Sequence, residues 1–439
     1  MRNIDSRFLA FFILKKFEQK DIKITKARDD VFLKYSPKNS FKNRAIVLAN
    51  EVVRLRARLD LMIEFISNKK IKRLDGSIII IMRLGFYEII FDRYVPNYAA
   101  VDSFVQLAHH FSSKKSAGFT NAVLRNLIRK IKSDKYWYKP IRTASGWSSL
   151  PNWIDERWLN RYSKVHYDKL IDYINKPSDL YIRCDNKSKS IENIIEVFEN
   201  KGIKTDLFLK NILLVRSSSS KILGSNLFNN GDISIQSPSS AAIVYCLDVK
   251  NGDRVLDVCA APGTKTLQLA HLVGDRGVVY ASDTSSDRVA LGIKDIKRHG
   301  RKNIHWSVKD ATKDTYEKVD KILIDAPCTG TGVIGRKPDI RWRRKAEDLK
   351  KFTKLQLSIL NHCSQFLKNG GSMVYSTCSL EPEENLVVVE NFLNLNSNFT
   401  IDELPSAIPN FWIKDKHFLN TSPHLHGIDG MFAIRIKKV

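Results

Sequence analysis

Apolar residues recur at helical spacing through the first 135 positions. Phe8 to Leu14 reads as the buried face of a first helix. Asn50, Val53, Leu55, Leu59, Met62 and Ile66 fall close to a 3.6-residue period and predict a second. Ile78 to Ile90, Val101 to Phe111 and Asn121 to Ile131 predict three more. No convincing alternating strand interrupts them, so residues 1–135 are expected to form an all-α bundle. Residues 136–150 mix Lys, Ser, Pro and Gly and read as a linker. Between 151 and 230 the pattern changes to strand (Leu180 to Arg183), helix (Ile191 to Lys201, closed by Gly202) and strand (Asn211 to Val215). This order predicts a small α+β module. From 231 to 439 short apolar runs alternate with helical stretches. The runs are Arg254 to Val258, Val278 to Tyr280, Lys321 to Ile324 and Ser372 to Tyr375. Such alternation predicts a doubly wound α/β sheet.

Charge adds a partner class to this picture. The chain of 439 residues carries a formal net charge of +25. Residues 1–150 hold 30 basic and 13 acidic side chains, a net of +17, and the remainder holds 42 and 34, a net of +8. A basic module joined to a nearly balanced one points to a polyanion. The longest purely apolar runs, such as Ile78 to Met82, are far shorter than the ~20 residues of a membrane span. The N-terminal apolar stretch is preceded by Asp5 and followed by Lys15-Lys16 without a small-residue cleavage site, unlike a signal peptide. The six cysteines have no Cys-x-x-Cys pair, which argues against zinc, and are too sparse for a disulfide scaffold. A cytoplasmic protein with reduced thiols and no metal is expected.

The chemistry gathers at the strand ends of the α/β region. Val255 to Ala270 runs from an apolar strand through small residues into a helix, a place where a ligand can approach the backbone. Asp283 ends the next run, suited to a ribose hydroxyl pair, and Asp310 follows the one after, suited to an exocyclic amine. The GxGxxG signature of a dinucleotide is missing, so a nucleoside without pyrophosphate fits better. S-adenosyl-L-methionine is the obvious one. Two further strand ends carry thiols: Asp325 to Cys328 (DAPC) and Ser376 to Ser379 (STCS). A methyl donor beside two thiols suggests methylation at carbon 5 of a pyrimidine. That carbon becomes nucleophilic once a thiolate adds at carbon 6, and a second group must then manage proton transfer or release. Asp325 is placed to activate the ring.

The runs AAPGTKT, DAPCTGTGVIGRKPDIRW and YSTCSLEPEEN, in that order, resemble the RNA 5-methylcytosine methyltransferases of the Nol1/Nop2/Sun (Fmu) type over residues 151–439. RLGFYEIIFDRYVPNYAAVDSFVQLAHHF and FTNAVLRNLIR resemble the helical RNA-binding domain of the NusB family. Together they look like the bacterial enzymes that methylate a cytosine in small-subunit (16S) ribosomal RNA. The resemblance implies a NusB-like bundle (1–135), a small α+β RNA-binding subdomain (151–230) and a Rossmann-like methyltransferase core (231–439). It implies Cys378 as nucleophile through a covalent cytosine adduct, and Cys328 as the thiol of proton removal or release. Cys259, Ala260, Ala261, Pro262, Gly263, Thr264 and Lys265 match the loop around the methionine part of the donor. Asp283 matches the ribose acid, Asp310 the adenine acid, and Asp325 an acid near donor and base that Lys265 orients.

The match has departures. The family loop usually reads AAPGGKT, and Thr264 stands where its second glycine would be; a positive φ there would cost energy. Gln236-Ser237-Pro238-Ser239-Ser240 lacks a common acid, and Ile182-Arg183-Cys184-Asp185 stands for Leu-Arg-x-Asn. Arg336, Lys337, Arg341, Trp342, Arg343 and Arg344 combine cations with an aromatic ring after the Pro-Cys loop and are expected to grip RNA. The target base must be splayed out, favouring an unpaired cytosine. Rival readings are a non-catalytic RNA-binding or ribosome-assembly factor, and a cytosine methyltransferase acting on tRNA. A monomer without an obligate protein partner is expected.

Overall fold

The computed structural model describes residues 4–92, 95–185, 189–216 and 219–439. They fall into two compact units, Met1–Pro177 with Lys337–Lys345, and Ser178–Arg336 with Ala346–Val439. The boundary at 177 falls inside the stretch 151–230 that the sequence pattern sets apart.

The first unit is helical: α1 Ser6–Gln19, α2 Ile24–Tyr35, α3 Asn39–Arg54, α4 Arg56–Ser67, α5 Gly76–Phe91, α6 Asn97–Phe111, α7 Lys114–Ser133, α8 Asn152–Arg161 and α9 Lys164–Ile174. The expected helix over Asn50 to Ile66 is two helices. Leu55, at φ −101° and ψ 14°, breaks the backbone while the apolar period runs on across the break. α2 escapes sequence reading because it buries only Ile24, Ala27 and Val31. Residues 136–150 are not a free linker. Trp137 is buried, and Tyr138 stacks on Trp147 at 5.8 Å. Arg58 lies 4.6 Å over the Trp147 ring and donates to its carbonyl at 2.8 Å. A stretch rich in Lys and Ser is anchored here by aromatic rings that composition hides.

Helix ends explain the role of Lys337–Lys345 in this unit. The last carbonyls of a helix have no partner inside it. Arg341, fully buried, donates to the carbonyls of Arg54 (2.9 Å) and Ile174 (2.6 Å), the final residues of α3 and α9. It also reaches the Ser149 carbonyl and Asn175 Oδ1, at 3.1 and 2.6 Å. Trp342 Nε1 donates to the Val53 carbonyl at 2.7 Å, and Arg56 lies over its ring at 5.3 Å. Arg341→Met keeps the stem but strips these donors. The expected loss is about 3 kcal/mol, read as an earlier urea midpoint for the helical unit. An unchanged midpoint would show that the buried guanidinium holds nothing together.

The second unit contains two sheets. The smaller is antiparallel, ordered β2-β3-β1-β4, from β1 Leu180–Cys184, β2 Thr205–Leu209, β3 Ile212–Val215 and β4 Ile233–Ile235. α10 Ile191–Glu199 buries Ile194 and Phe198 in the same cluster as Ile182, Leu213 and Ile233. α11 Pro238–Cys246 leads to the larger sheet. Its strands and intervening helices are β5 Arg254–Val258, α12 Thr264–Leu272, β6 Val278–Asp283, α13 Ser286–His299, β7 Ile304–Val308, β8 Val319–Asp325, α14 Ala346–Ser364 and β9 Leu367–Thr377. α15 Leu386–Leu395, β10 Phe399–Asp402, β11 Ile413–Lys414, β12 Phe418–Thr421 and β13 Met431–Lys438 complete it. The order is β11-β12-β13-β9-β8-β5-β6-β7, with β10 beside β13. β5, β6, β7, β8 and β9 run parallel, and β13 joins β9 antiparallel with Ile434 opposite Tyr375. From β5 the chain winds one way to β7, then restarts at β8 on the other side. The strand order therefore reverses between β5 and β8. An open α/β sheet binds ligands beyond the carboxyl ends of its strands at such a reversal. No helix among the described residues is long and apolar enough to cross a membrane.

Candidate active site

The loop after β5 is shaped by its backbone. Cys259 has φ +60° and Gly263 φ +106°. A Cβ on Gly263 would lie 2.9 Å from the Trp306 ring, so glycine is required there on two counts. Thr264 opens α12 in helical conformation. The left-handed position is Gly263, and Thr264 carries none of the strain its departure from the family loop suggested. Beneath the loop Asp257 is fully buried. Thr266 Oγ1 donates to its Oδ2 at 2.6 Å, and Oδ1 has no partner among the described residues. Burial, only partly offset by the Thr266 bond, pushes this carboxyl up to about 7.

That shift has a sign that can be measured. The unfolded carboxyl loses its proton near pH 4, and the folded one near 7. Between these values the folded state holds the extra proton, so Asp257 makes stability fall as pH rises from 4 to 7. Asp257→Asn should remove this slope. The gap corresponds to roughly 4 kcal/mol, visible as flatter melting temperatures over that range. An identical pH profile in parent and variant would rule the buried acid out as its source.

The acids and thiols converge on the same sheet edge. Lys265 Nζ donates to Asp325 Oδ2 at 2.7 Å, and Ser376 Oγ to Asp325 Oδ1 at 3.1 Å. Burial alone would lower the Lys265 ammonium, but the charge and hydrogen bond of Asp325 outweigh it and raise it. Asp283 ends β6 and is buried. Its carboxylate accepts from Ala261 N (3.2 Å) and Ser285 N (3.1 Å), and Arg288 Nη1 pairs with it at 3.0 Å. Arg288, which also donates to the Ala261 carbonyl, was missed by sequence reading. Its signal was a cation five residues after the strand-end acid, in the first turn of the following helix. Asp310 sits beyond β7, where Thr312 N and Oγ1 donate to its Oδ1 at 2.9 and 2.7 Å. Those bonds hold it below the usual carboxylate range.

Cys328 and Cys378 lie beyond the neighbouring strands β8 and β9, with 3.1 Å between their sulfurs. Cys328 is buried, and Cys378 is partly exposed. The Cys378 hydrogen bond, burial and the charges of Cys378 and Glu384 hold the Cys328 thiol well above its usual range. Burial pushes Cys184, Cys246 and Cys363 up to about 12, which marks them as inert thiols. Burial also raises Cys259.

The geometry accommodates the expected donor. The loop from Cys259 to Lys265 offers small side chains and a glycine with no room for a Cβ. It lies above an orphaned buried oxygen of Asp257 and beside the strand-end carboxylate of Asp283. Among the described residues no group of three His, Cys, Asp or Glu side chains is placed to hold a metal.

Within the segment expected to grip RNA, two of the six residues are turned to the interior. Arg341 and Trp342 are committed to helix-end carbonyls inside the first unit, and Arg341 is buried. Arg336 pairs with Asp429 at 2.9 Å, and Arg343 lies 3.4 Å from Asp339. The Arg344 carbonyl accepts from Trp153 Nε1 at 3.1 Å, and Lys337 is exposed. The other two departures are likewise interior. Arg183 Nε donates to Asp185 Oδ1 at 2.8 Å, its Nη1 donates to Gln236 and to the Thr264 carbonyl, and all three side chains are buried. These residues brace the small sheet against the start of α12.

Comparison with known proteins agrees with this arrangement. The family model of the 16S rRNA methyltransferase RsmB/F matches residues 244–437, and the NusB family model matches residues 4–129. The probable ribosomal RNA small subunit methyltransferase B of Bacillus subtilis is 31% identical over 100% of both chains. The ribosomal RNA small subunit methyltransferase B of Pasteurella multocida is 28% identical over 88% of this chain and 86% of its own. The crystal structure of PH0851 shares the fold over 100% of both chains, with a TM-score of 0.79 at 24% identity. A helical unit matching NusB, a methyltransferase sheet bearing its motifs at one edge, and a relative alike from end to end agree: this chain belongs to the ribosomal RNA small subunit methyltransferase B family.

Proposed function

We propose that the chain methylates carbon 5 of a cytosine in 16S ribosomal RNA, with S-adenosyl-L-methionine as donor, through a transient bond between Cys378 Sγ and carbon 6 of the base. The observation that carries this reading is the pair of sulfurs 3.1 Å apart on adjacent strand ends, beside the Lys265–Asp325 pair. Cys378, the more exposed thiol, adds to carbon 6 as thiolate, favoured by the nearby Lys265 ammonium. Asp325, oriented by Lys265 Nζ, hydrogen-bonds the ring and so activates it for addition. The ring's electron pair is then available at carbon 5. The donor, when bound, supplies an electrophilic methyl group. The residues from Cys259 to Lys265, with Asp283 and Asp310, would hold it. Solvent water at the partly exposed Cys378 then takes the carbon 5 proton, the freed electron pair forms the carbon 5–carbon 6 double bond, and the Cys378 sulfur leaves as thiolate, accepting a hydrogen bond from the Cys328 S–H. The basic excess of residues 1–150 supports an RNA substrate.

The test uses unmodified 16S RNA and S-adenosyl-L-methionine, with nucleosides read by mass spectrometry. New 5-methylcytidine is expected. A methylated nucleoside other than 5-methylcytidine, or none from 16S RNA and some from tRNA, would overturn the assignment.

A further inference from the structure

We infer that Glu384 is a positioning residue whose single carboxylate ties the Cys328 loop to the Cys378 loop and keeps negative charge off Cys328. Its catalytic consequence rests on the reading above, in which Cys378 attacks and Cys328 assists release.

Glu384 is fully buried in the one-turn helix Pro382–Glu384, six residues beyond Cys378. Oε1 accepts from Thr329 N at 2.8 Å and from Gln356 Nε2 at 3.1 Å. Oε2 accepts from the hydroxyls of Thr329 and Ser379. Thr329 follows Cys328 and Ser379 follows Cys378, so one carboxylate grips the residue after each thiol. Gln356 Nε2 also donates to the Pro327 carbonyl at 2.9 Å, which fixes the residue before Cys328. These partners are neutral donors. Burial raises the Glu384 carboxyl, the hydrogen bonds of Ser379, Thr329 and Gln356 oppose that rise, and a neutral residue would fill the space more cheaply for packing alone.

The two loops have little freedom elsewhere. Gly332 N donates to the Cys378 carbonyl at 2.9 Å, and a Cβ on Gly332 would lie 2.1 Å from the Gly430 carbonyl. The titratable groups whose charge acts on Cys328 include Cys378, Glu384 and Tyr375. Tyr375 Oη donates to the Glu384 carbonyl at 2.6 Å. The Cys378 hydrogen bond and burial do most to keep Cys328 as the S–H that faces Cys378, and the charge of the Glu384 carboxylate adds to them.

The test uses the full chain and the isosteric Glu384→Gln. We expect kcat for methyl transfer to fall roughly 10- to 100-fold with KM for donor and RNA unchanged, since the loops lose their tie but not the binding surfaces. A second readout needs neither RNA nor donor: iodoacetamide alkylation of Cys328 against pH, followed by peptide mass. In Glu384→Gln the alkylation of Cys328 should begin at lower pH. Thr329→Val removes one arm and keeps the charge, so it should lower kcat without that shift; it also serves if Glu384→Gln does not fold. Unchanged kcat in both variants, or a lowered kcat with no shift in Cys328 alkylation in Glu384→Gln, would overturn the inference. If the parent chain makes no 5-methylcytidine, the proposed function fails, while the alkylation shift still decides the role of Glu384.

Discussion

Cys378→Ala should reduce formation of 5-methylcytidine by about four orders of magnitude or more, because no other group in the site can add to carbon 6. Cys184, Cys246 and Cys363 are buried with thiols raised to about 12, and Cys259 is raised by burial. Cys328 lies 3.1 Å away but is buried and held as a thiol by its neighbours. Donor affinity should be unchanged in the variant, since the donor loop after β5 and the strand-end acid Asp283 are untouched. Equilibrium binding of S-adenosyl-L-methionine, measured beside activity, separates the two. Full methylation by Cys378→Ala would remove Cys378 from the chemistry, whereas joint loss of donor binding would point to a misfolded site.

Cys328→Ala should behave differently. Attack by Cys378 remains possible, but the leaving sulfur loses the S–H that supports its departure. The protein should accumulate covalently joined to RNA, visible as a slower band on a denaturing gel that nuclease removes. Turnover should fall by roughly 100-fold or more, while single-turnover methyl transfer is reduced much less. A variant that turns over normally, or that is slow without any RNA-linked band, would deny Cys328 a part in release.

Much of this site was legible in the chain itself. An open α/β sheet confines ligands to one edge, so acids and thiols placed just after apolar runs could be assigned to that edge from sequence. Asp283, Asp325, Cys328 and Cys378 all lie there. The antiparallel strands β10 to β12 were not legible, for their short runs (Ile413–Lys414 is two residues long) gain meaning only beside β13 or one another. Thr264 looked costly because sequence cannot say which residue of a loop takes positive φ. The structure gives that conformation to Gly263. Arg341 and Trp342 look like an RNA grip by composition, and nothing local to them reveals the orphaned carbonyls at the ends of α3 and α9 that they satisfy. Glu384 was hidden for a similar reason. Its partners Thr329 and Gln356 are 55 and 28 residues away.

The central claim is that Cys378 bonds to the target cytosine. The most direct measurement combines Cys328→Ala protein, 16S RNA and S-adenosyl-L-methionine, followed by nuclease and protease digestion and mass sequencing of the nucleotide-bearing peptide. The account predicts one modified residue, Cys378, carrying a methylated cytidine. A nucleotide on any other residue, or a trapped base that is not cytosine, would contradict it.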